Sequence, residues 1–235
     1  GNLSVKMMPA SLFSVDQLAD PYNLTRADYL VPMPISAQGL QEYIDVYNID
    51  LAGSVVAMDG DQMLGLCLIG VRGHMGWITR LGVLPASRRH GSGQAMLETC
   101  IERLKEHKVK SAYLEVIAGN MPAYTLFLQL GFKDVGKLLV LRRPPDLSPE
   151  SPLYRHPFDA QATLRWLDES QTLSYAAKRG RRPAWTNQTE SLAAARTVRA
   201  LHIASHDSEL SGWVCYEPTP LQLRRVLIAS DSGGD

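Results

Sequence analysis

Along this 235-residue chain the spacing of apolar positions changes several times, and each change marks an element. From Ser54 the run is β-branched and aliphatic: SVVAM, the turn DGD with Gly60 at its corner, then QMLGLCLIGV, a hairpin pattern. A second break at RGHMG leads into WITRLGVL, which predicts three consecutive antiparallel strands. Further on the period lengthens. Leu97, Cys100, Ile101 and Leu104 recur at i, i+3, i+4, i+7, while Glu98, Glu102, Arg103, Lys105 and Glu106 take the other face, so a helix packs one side on a sheet. SAYLEVI returns to strand-like spacing. Asn120 and Pro122 then open a helix with the stripe Ala123, Leu126, Phe127 and Leu130, which Gly131 is placed to end. Phe132 to Arg143 predict one or two more strands.

Upstream, residues 11–50 predict two helices, one opening at Asp16, Gln17 and Leu18 and one behind a Ser36 cap. Downstream, PPDLSPESP carries four prolines between 144 and 152 and reads as a linker, dividing the chain into domains 1–146 and 147–235. Past it, 158–170 and 187–195 read as helices, followed by the apolar stretches TVRALHIAS, ELSGWVCYE and LQLRRVLIAS. These echo the first domain: Gly212 stands loosely for Gly65, and RVLIASDS for RLGVLPAS, a degenerate repeat that stops at SDSGGD. Trp166, Trp185 and Trp213 point to a second core.

Charge changes this picture little. Lys plus Arg and Asp plus Glu are 24 each, so no overall field draws the chain to nucleic acid or an anionic membrane, and any anion site is local. The basic cluster KRGRRPAW at 178–185 reads as a solvated turn. Cys67, Cys100 and Cys215 lie far apart without metal spacing, which indicates neither a disulfide framework nor a metal site and fits a reducing cytoplasm. No apolar run of membrane-spanning length occurs, and the start GNLSVKMMPASLF has no signal-peptide core.

The stretch LPASRRHGSGQAML, residues 84–97, carries the candidate chemistry. Positive charge and glycine crowd the start of a helix, whose free N–H groups and dipole favour an anion. Gly91 and Gly93 supply left-handed backbone and close approach. Neither phosphate motif of the nucleotide-binding folds fits. No Lys-Ser or Lys-Thr follows the glycines, and position 96 is Met where a dinucleotide fingerprint needs a third glycine. A ligand-free glycine turn is the alternative.

The context decides, because the chain resembles the GNAT superfamily of acyltransferases. Its motif Q/R-x-x-G-x-G/A is met by Arg88, Arg89, His90, Gly91, Ser92 and Gly93, after the strand RLGVLP and before an amphipathic helix. The second motif, N-x-x-A-x-x-L-Y-x-x-L-G-F, is met by Asn120, Ala123, Leu126, Phe127, Leu130, Gly131 and Phe132, with phenylalanine where tyrosine is usual. The resemblance covers roughly 11–143. It implies a GNAT acyl-CoA N-acyltransferase fold, an α+β architecture with a mainly antiparallel sheet flanked by helices, plus a smaller partial GNAT-like C-terminal domain without a CoA site. It also implies acetyl-CoA in a V between the strands WITRLGVL and SAYLEVI. Backbone groups of Leu81, Gly82 and Val83 would meet the pantetheine, amides from Arg88, Arg89, His90, Gly91, Ser92, Gly93 and Gln94 the pyrophosphate, and Asn120 and Phe127 the arm beyond; no metal is implied.

In the reaction the resemblance implies, a neutral primary amine on a small molecule or peptide attacks the thioester directly, with the oxyanion met by the Val83 N–H. An ammonium of pKa about 10 must first lose a proton, and the sulfur can gain one. Phe127 cannot donate; Tyr124, one turn earlier, is the weak substitute and otherwise a packing residue. For the base, alternation in AYLEVI puts Tyr113, Glu115 and Ile117 on one face, so Glu115 is either the base or, the commoner case, a solvated charge. Arg80 either binds an acidic acceptor or makes an internal ion pair. His74 sits in a turn and His90 in the loop. Tyr43, Asp45, Tyr47 and Asp50 could face an amine from the N-terminal helices, and the acceptor is left unnamed. The alternative to an enzyme is a non-catalytic acyl-CoA sensor. A homodimer is compatible with either.

Overall fold

A computed structural model describes residues 4–29, 33–140, 162–206 and 210–232. They fall into two units, Gly1–Lys133 and Asp134–Asp235.

The first unit runs β1 (Val5–Pro9), α1 (Val15–Thr25), α2 (Ala37–Val46), β2 (Val55–Asp59), β3 (Gln62–Arg72), β4 (Met75–Val83), α3 (Ser92–Glu106), β5 (Ser111–Tyr113) and α4 (Met121–Gln129). Its sheet has the order β1-β2-β3-β4-β5, antiparallel through β4 and parallel only between β4 and β5. Ser14 and Gln17 form a reciprocal capping box at α1, and Ser36 caps α2, so each helix starts where a side-chain oxygen meets the orphan amides. One core lies between the sheet and α3. Met96, Leu97, Cys100 and Leu104 on the helix pack with Val55, Ala57, Cys67, Ile69 and Ile78. Gly65 permits this approach, since a Cβ there would stand 2.7 Å from Met96 Cε and 2.5 Å from the Gly82 carbonyl. The other face belongs to α1: a Cβ on Gly82 would collide with Thr25 Oγ1.

One irregularity in this sheet matters for the site. Leu66 faces Gly82 but Leu68 faces Thr79, so Arg80 and Leu81 together oppose Cys67, with Arg80 at φ +55°. This is a β-bulge, which bends its strand away from regular pairing.

Several sequence expectations change here. β1, the edge strand VKMMP, was not anticipated. Of SAYLEVI only Ser111–Tyr113 pairs as strand. Residues 131–140 form no strand, and Val135, Leu139 and Val140 are 85, 85 and 86% exposed, because an apolar run becomes a strand only with a ladder to join; 141–143 lie outside the described residues.

The second unit runs β6 (Thr163–Leu167), α5 (Glu169–Ala177), α6 (Thr189–Ala195), β7 (Arg199–Ala204), β8 (Ser211–Pro218) and β9 (Leu223–Ser230), with an antiparallel sheet in that strand order. The predicted helix over 158–170 is instead strand β6 followed by a helix that starts at Glu169, where Asp168 and Gln171 make a second capping box. The linker 144–152 and residues 158–161 lie outside the described residues. Trp213 is buried with Leu192 and Cys215 and Trp185 is buried too, but Trp166 is exposed.

Both units therefore read strand, two helices, three strands. Both also carry a bulge in the last antiparallel strand. Cys215 faces Leu227 and Glu217 faces Arg224, so Arg225 and Val226 oppose Tyr216, and Arg225 has φ +53°. Counted from the bulges, Arg225 stands for Arg80 and Val214 for Gly65, so Gly212 is two residues away from the expected match. Val83, on the α3 side of the first sheet, has Ile228 as counterpart. Around Ile228 the second sheet is bare: Leu164, Trp166, Ile203, Val226 and Ile228 are 36–71% exposed. Among the described residues no helix is long and apolar enough to cross a membrane, and no His, Cys, Asp and Glu group could hold a metal ion.

Candidate active site

The V between β4 and β5 arises from the pairing. Met75, Gly76 and Trp77 pair with Ser111, Ala112 and Tyr113, and beyond Trp77 the two strands share no ladder. Leu84 donates to the Leu64 carbonyl at 2.8 Å, so in the alternating antiparallel ladder the backbone groups of Val83 point away from β3 and into the splay. The Val83 carbonyl is already taken by Arg88 Nε at 3.0 Å and the Leu81 carbonyl by Arg26 Nη2 at 2.9 Å. Gly82 is buried under Thr25, where it admits the end of α1.

At the start of α3, Gly91 is the cap residue at φ +85°, and a Cβ there would meet nothing within 4 Å. The loop backbone is therefore open to a large anion, above the first amides of α3, Ser92, Gly93 and Gln94, which have no partner inside the helix. Gly93 differs from expectation: its backbone is not left-handed, and its missing Cβ would touch Val83 Cγ2 at an ordinary 3.5 Å. Arg88 also departs from its expected role. Its guanidinium grips both Asp28 oxygens at 2.6 and 2.8 Å and the Thr25 carbonyl at 2.9 Å, and its amide bonds Pro85 at 3.4 Å. Arg88 thus ties the loop to α1, and the hydrogen bonds it makes hold the Asp28 carboxyl below its usual range. Arg89 and His90 are exposed, and Gln94 bonds Glu98.

On α4, Asn120 Oδ1 caps the helix by accepting from the Ala123 amide at 3.4 Å. Phe127 is 7% exposed and edge-on to Phe132, so the position where the family has tyrosine is apolar core and offers no proton. Tyr124 is half-buried on the same helix.

The face of the sheet under α1 and α2 holds a chain of polar contacts. Tyr43 stacks on Trp77 with centroids 5.8 Å apart, and Tyr47 meets both rings edge-on at 4.8 and 5.7 Å. The Tyr43 hydroxyl bonds Thr79 Oγ1, and burial pushes its phenol up to about 12, against the pull of Arg80. Trp77 Nε1 donates to Glu115 Oε2 at 2.8 Å. Glu115 keeps a solvent-exposed flank, yet burial of its carboxyl raises it above the ordinary glutamate range while the Trp77 hydrogen bond opposes that shift. Arg80 Nη1 donates to the Tyr22 hydroxyl at 3.1 Å and lies 4.6 Å from the Tyr43 ring centroid. Glu115 and Arg80 are thus linked through Trp77 and Tyr43, with Tyr22 against Arg80. Asp45 and Asp50 take other partners, Gln41 and His107, and His74 bonds the Lys108 carbonyl. Arg26, Thr25 and Asp28 were missed in sequence; they meet β4 and its loop across 55–63 residues, and no local pattern marks them.

Residues 18–132 match the family described as "Acetyltransferase (GNAT) family". An N-alpha-acetyltransferase from Sulfurisphaera tokodaii is 39% identical over 61 residues, 26% of this chain; that match spans about a third of the relative, 36% of its length. Among solved structures, the ribosomal-protein-S18-alanine N-acetyltransferase of Escherichia coli has a TM-score of 0.48 at 20% identity, covering 56% of this chain and 79% of that one. A transcriptional regulator from Bacillus halodurans C-125 also scores 0.48, at 19% identity, over 59% of this chain and 99% of that one.

Proposed function

Because residues 18–132 form a GNAT-family acetyltransferase domain, we propose that this protein transfers an acetyl group from acetyl-CoA to a primary amine of a small molecule or peptide. Transfer is by direct attack in a ternary complex. The observation that carries this reading is the splay of β4 from β5 beyond Trp77, with Val83 turned into the gap on one side and Glu115 reaching its mouth on the other. The start of α3 would take the pyrophosphate on the amides from Arg89 to Gln94, Asn120 would contact the pantetheine arm, and the Val83 N–H would meet the oxyanion.

Glu115 is the base in this scheme. Its carboxyl has a raised proton affinity and an open flank, which suit proton removal from an ammonium directly or through one water. Its hydrogen bond from Trp77 fixes its orientation. No side chain at the Phe127 position returns a proton to sulfur, and a thiol pKa of about 8.5 lets the thiolate leave unassisted. The described part of the second unit repeats the first through its bulged strand and has, in this reading, a structural role. The three free, buried cysteines suit a reducing cytoplasm.

Incubating the full chain with acetyl-CoA and an amine library, while following free thiol, tests the reading. Thiol release that depends on a particular amine supports it. CoA binding with no release for any amine favours a non-catalytic acyl-CoA sensor, which the buried Phe127 also suits.

A further inference from the structure

Two guanidinium groups stand on the α1 and α2 side of the bulge, Arg80 and Arg26, and among the described ion pairs neither has a carboxylate partner. Arg80 is half-buried, with a hydrogen bond to the Tyr22 hydroxyl and the faces of Tyr22 and Tyr43 at 5.5 and 4.6 Å. Arg26 spends one nitrogen on the Leu81 carbonyl and lies over the same Tyr22 ring at 5.3 Å, while its Nε is buried with no hydrogen-bond partner. Glu115 accepts from the Trp77 indole, on which Tyr43 stacks. Three other arginines differ. Arg88, Arg224 and Arg225 each meet a carboxylate at 2.5–2.6 Å.

A cation drawn partly out of water without a counter-charge is costly, and tyrosine faces offset only part of that. The bulge sets the placement. It holds Arg80 at φ +55°, a conformation uncommon for a side chain of this size, directly before Leu81 and three residues before Val83, whose backbone opens into the splay. We infer that the acceptor amine carries a carboxylate and that Arg80, with Arg26 beside it across Tyr22, receives it. The inference rests on the acetyltransferase reading. Planar guanidinium suits paired hydrogen bonds to a carboxylate, and an anion held there would place the acceptor's amine on the Glu115 side of Tyr43.

The carboxylate has two sources, the α-carboxylate of a free amino acid or the side chain of an acidic residue at a peptide N-terminus. Matched acceptors separate them: free amino acids against their α-amides, and C-terminally amidated peptides beginning with Asp or Glu against the same peptides beginning with Asn or Gln. With the full chain and acetyl-CoA, one of these carboxylates is expected to raise kcat/KM by at least about 10-fold over its neutral counterpart. In Arg80→Gln that ratio falls toward one, and Arg80→Lys restores part of it. Equal rates in both comparisons overturn the inference while leaving acetyl transfer standing. If no amine releases thiol, the acetyltransferase reading fails, and the carboxylate site is judged separately by NMR titration of the full chain with glutarate and glutaramide. Glutarate binding that weakens at least about 10-fold in Arg80→Gln supports the site, and glutarate binding no tighter than glutaramide removes it. A thermal melt and CoA affinity near those of the parent confirm that each variant is folded.

Discussion

The proposed role of Glu115 as base turns on its contact with Trp77. The Trp77 indole holds its carboxylate at the mouth of the splay, where burial raises its proton affinity while its flank stays open. Glu115→Gln keeps an oxygen for that indole but cannot take a proton, so turnover should fall about 100-fold or more. A base works unprotonated, so the parent's rate should climb with pH through a value above the ordinary glutamate range, and this limb should vanish in the variant's pH–rate profile. Linkage gives a second sign. A carboxyl raised on folding stabilises the fold below its unfolded pKa and loses that contribution as pH rises through its folded one, so the variant should melt no lower than the parent at neutral pH. In the sequence, alternation put Glu115 on a face with Tyr113 but could not say which face, because the residue that settles it lies 38 positions away. The side-chain role of Arg88 was hidden for the same reason, its partner Asp28 being 60 positions upstream. Phe127 was legible, since a position within one motif needs no distant partner.

At the scale of elements, the start of α3 should be the part most sensitive to added bulk. Gly91→Val puts a branched side chain at φ +85° and over the open backbone, and should weaken CoA binding by at least about 10-fold in calorimetry. Gly93→Val lacks the backbone strain and should weaken it less. In the second sheet the bulge is clamped by Glu217, only 3% exposed, which takes Arg224 on one oxygen and Arg225 on the other. Burial alone would raise this carboxyl, but the two arginines outweigh it and hold it below its usual range. Its stabilisation is present above the unfolded carboxylate pKa and lost as pH falls through the lower folded value. Glu217→Gln removes the negative charge that Arg224 and Arg225 both meet and should cost about 3 kcal/mol at neutral pH, read from denaturant unfolding followed by tryptophan emission. The regular elements were legible in proportion to their length. The 15-residue α3 shows its period over four turns, whereas TLRWL is five residues beside a helix start, too short for a period of two to be told from one of 3.6.

For the whole molecule, the two units part ways beyond the bulged strand. After β4 come α3, β5 and α4; after β9 the described residues hold no further element. Among the described residues a helix start opened by glycine follows β4 and none follows β9, so titration calorimetry of residues 1–235 should count one CoA, and two equivalent sites would mean that the second unit has been misread. The repeat was legible where it depends on a short string, RLGVLPAS against RVLIASDS, and blurred at Gly212, because matching glycines by eye ignores the extra residue that a bulge inserts. That duplicated bulge gives the chain its own yardstick for amide hydrogen exchange. β4 and β9 bear the same kink in similar ladders, one lining a proposed binding cleft and the other at the edge of its sheet. Slowing common to both on adding acetyl-CoA would measure damped breathing of the chain. Only the excess in β4 would count the backbone groups that the ligand itself has covered.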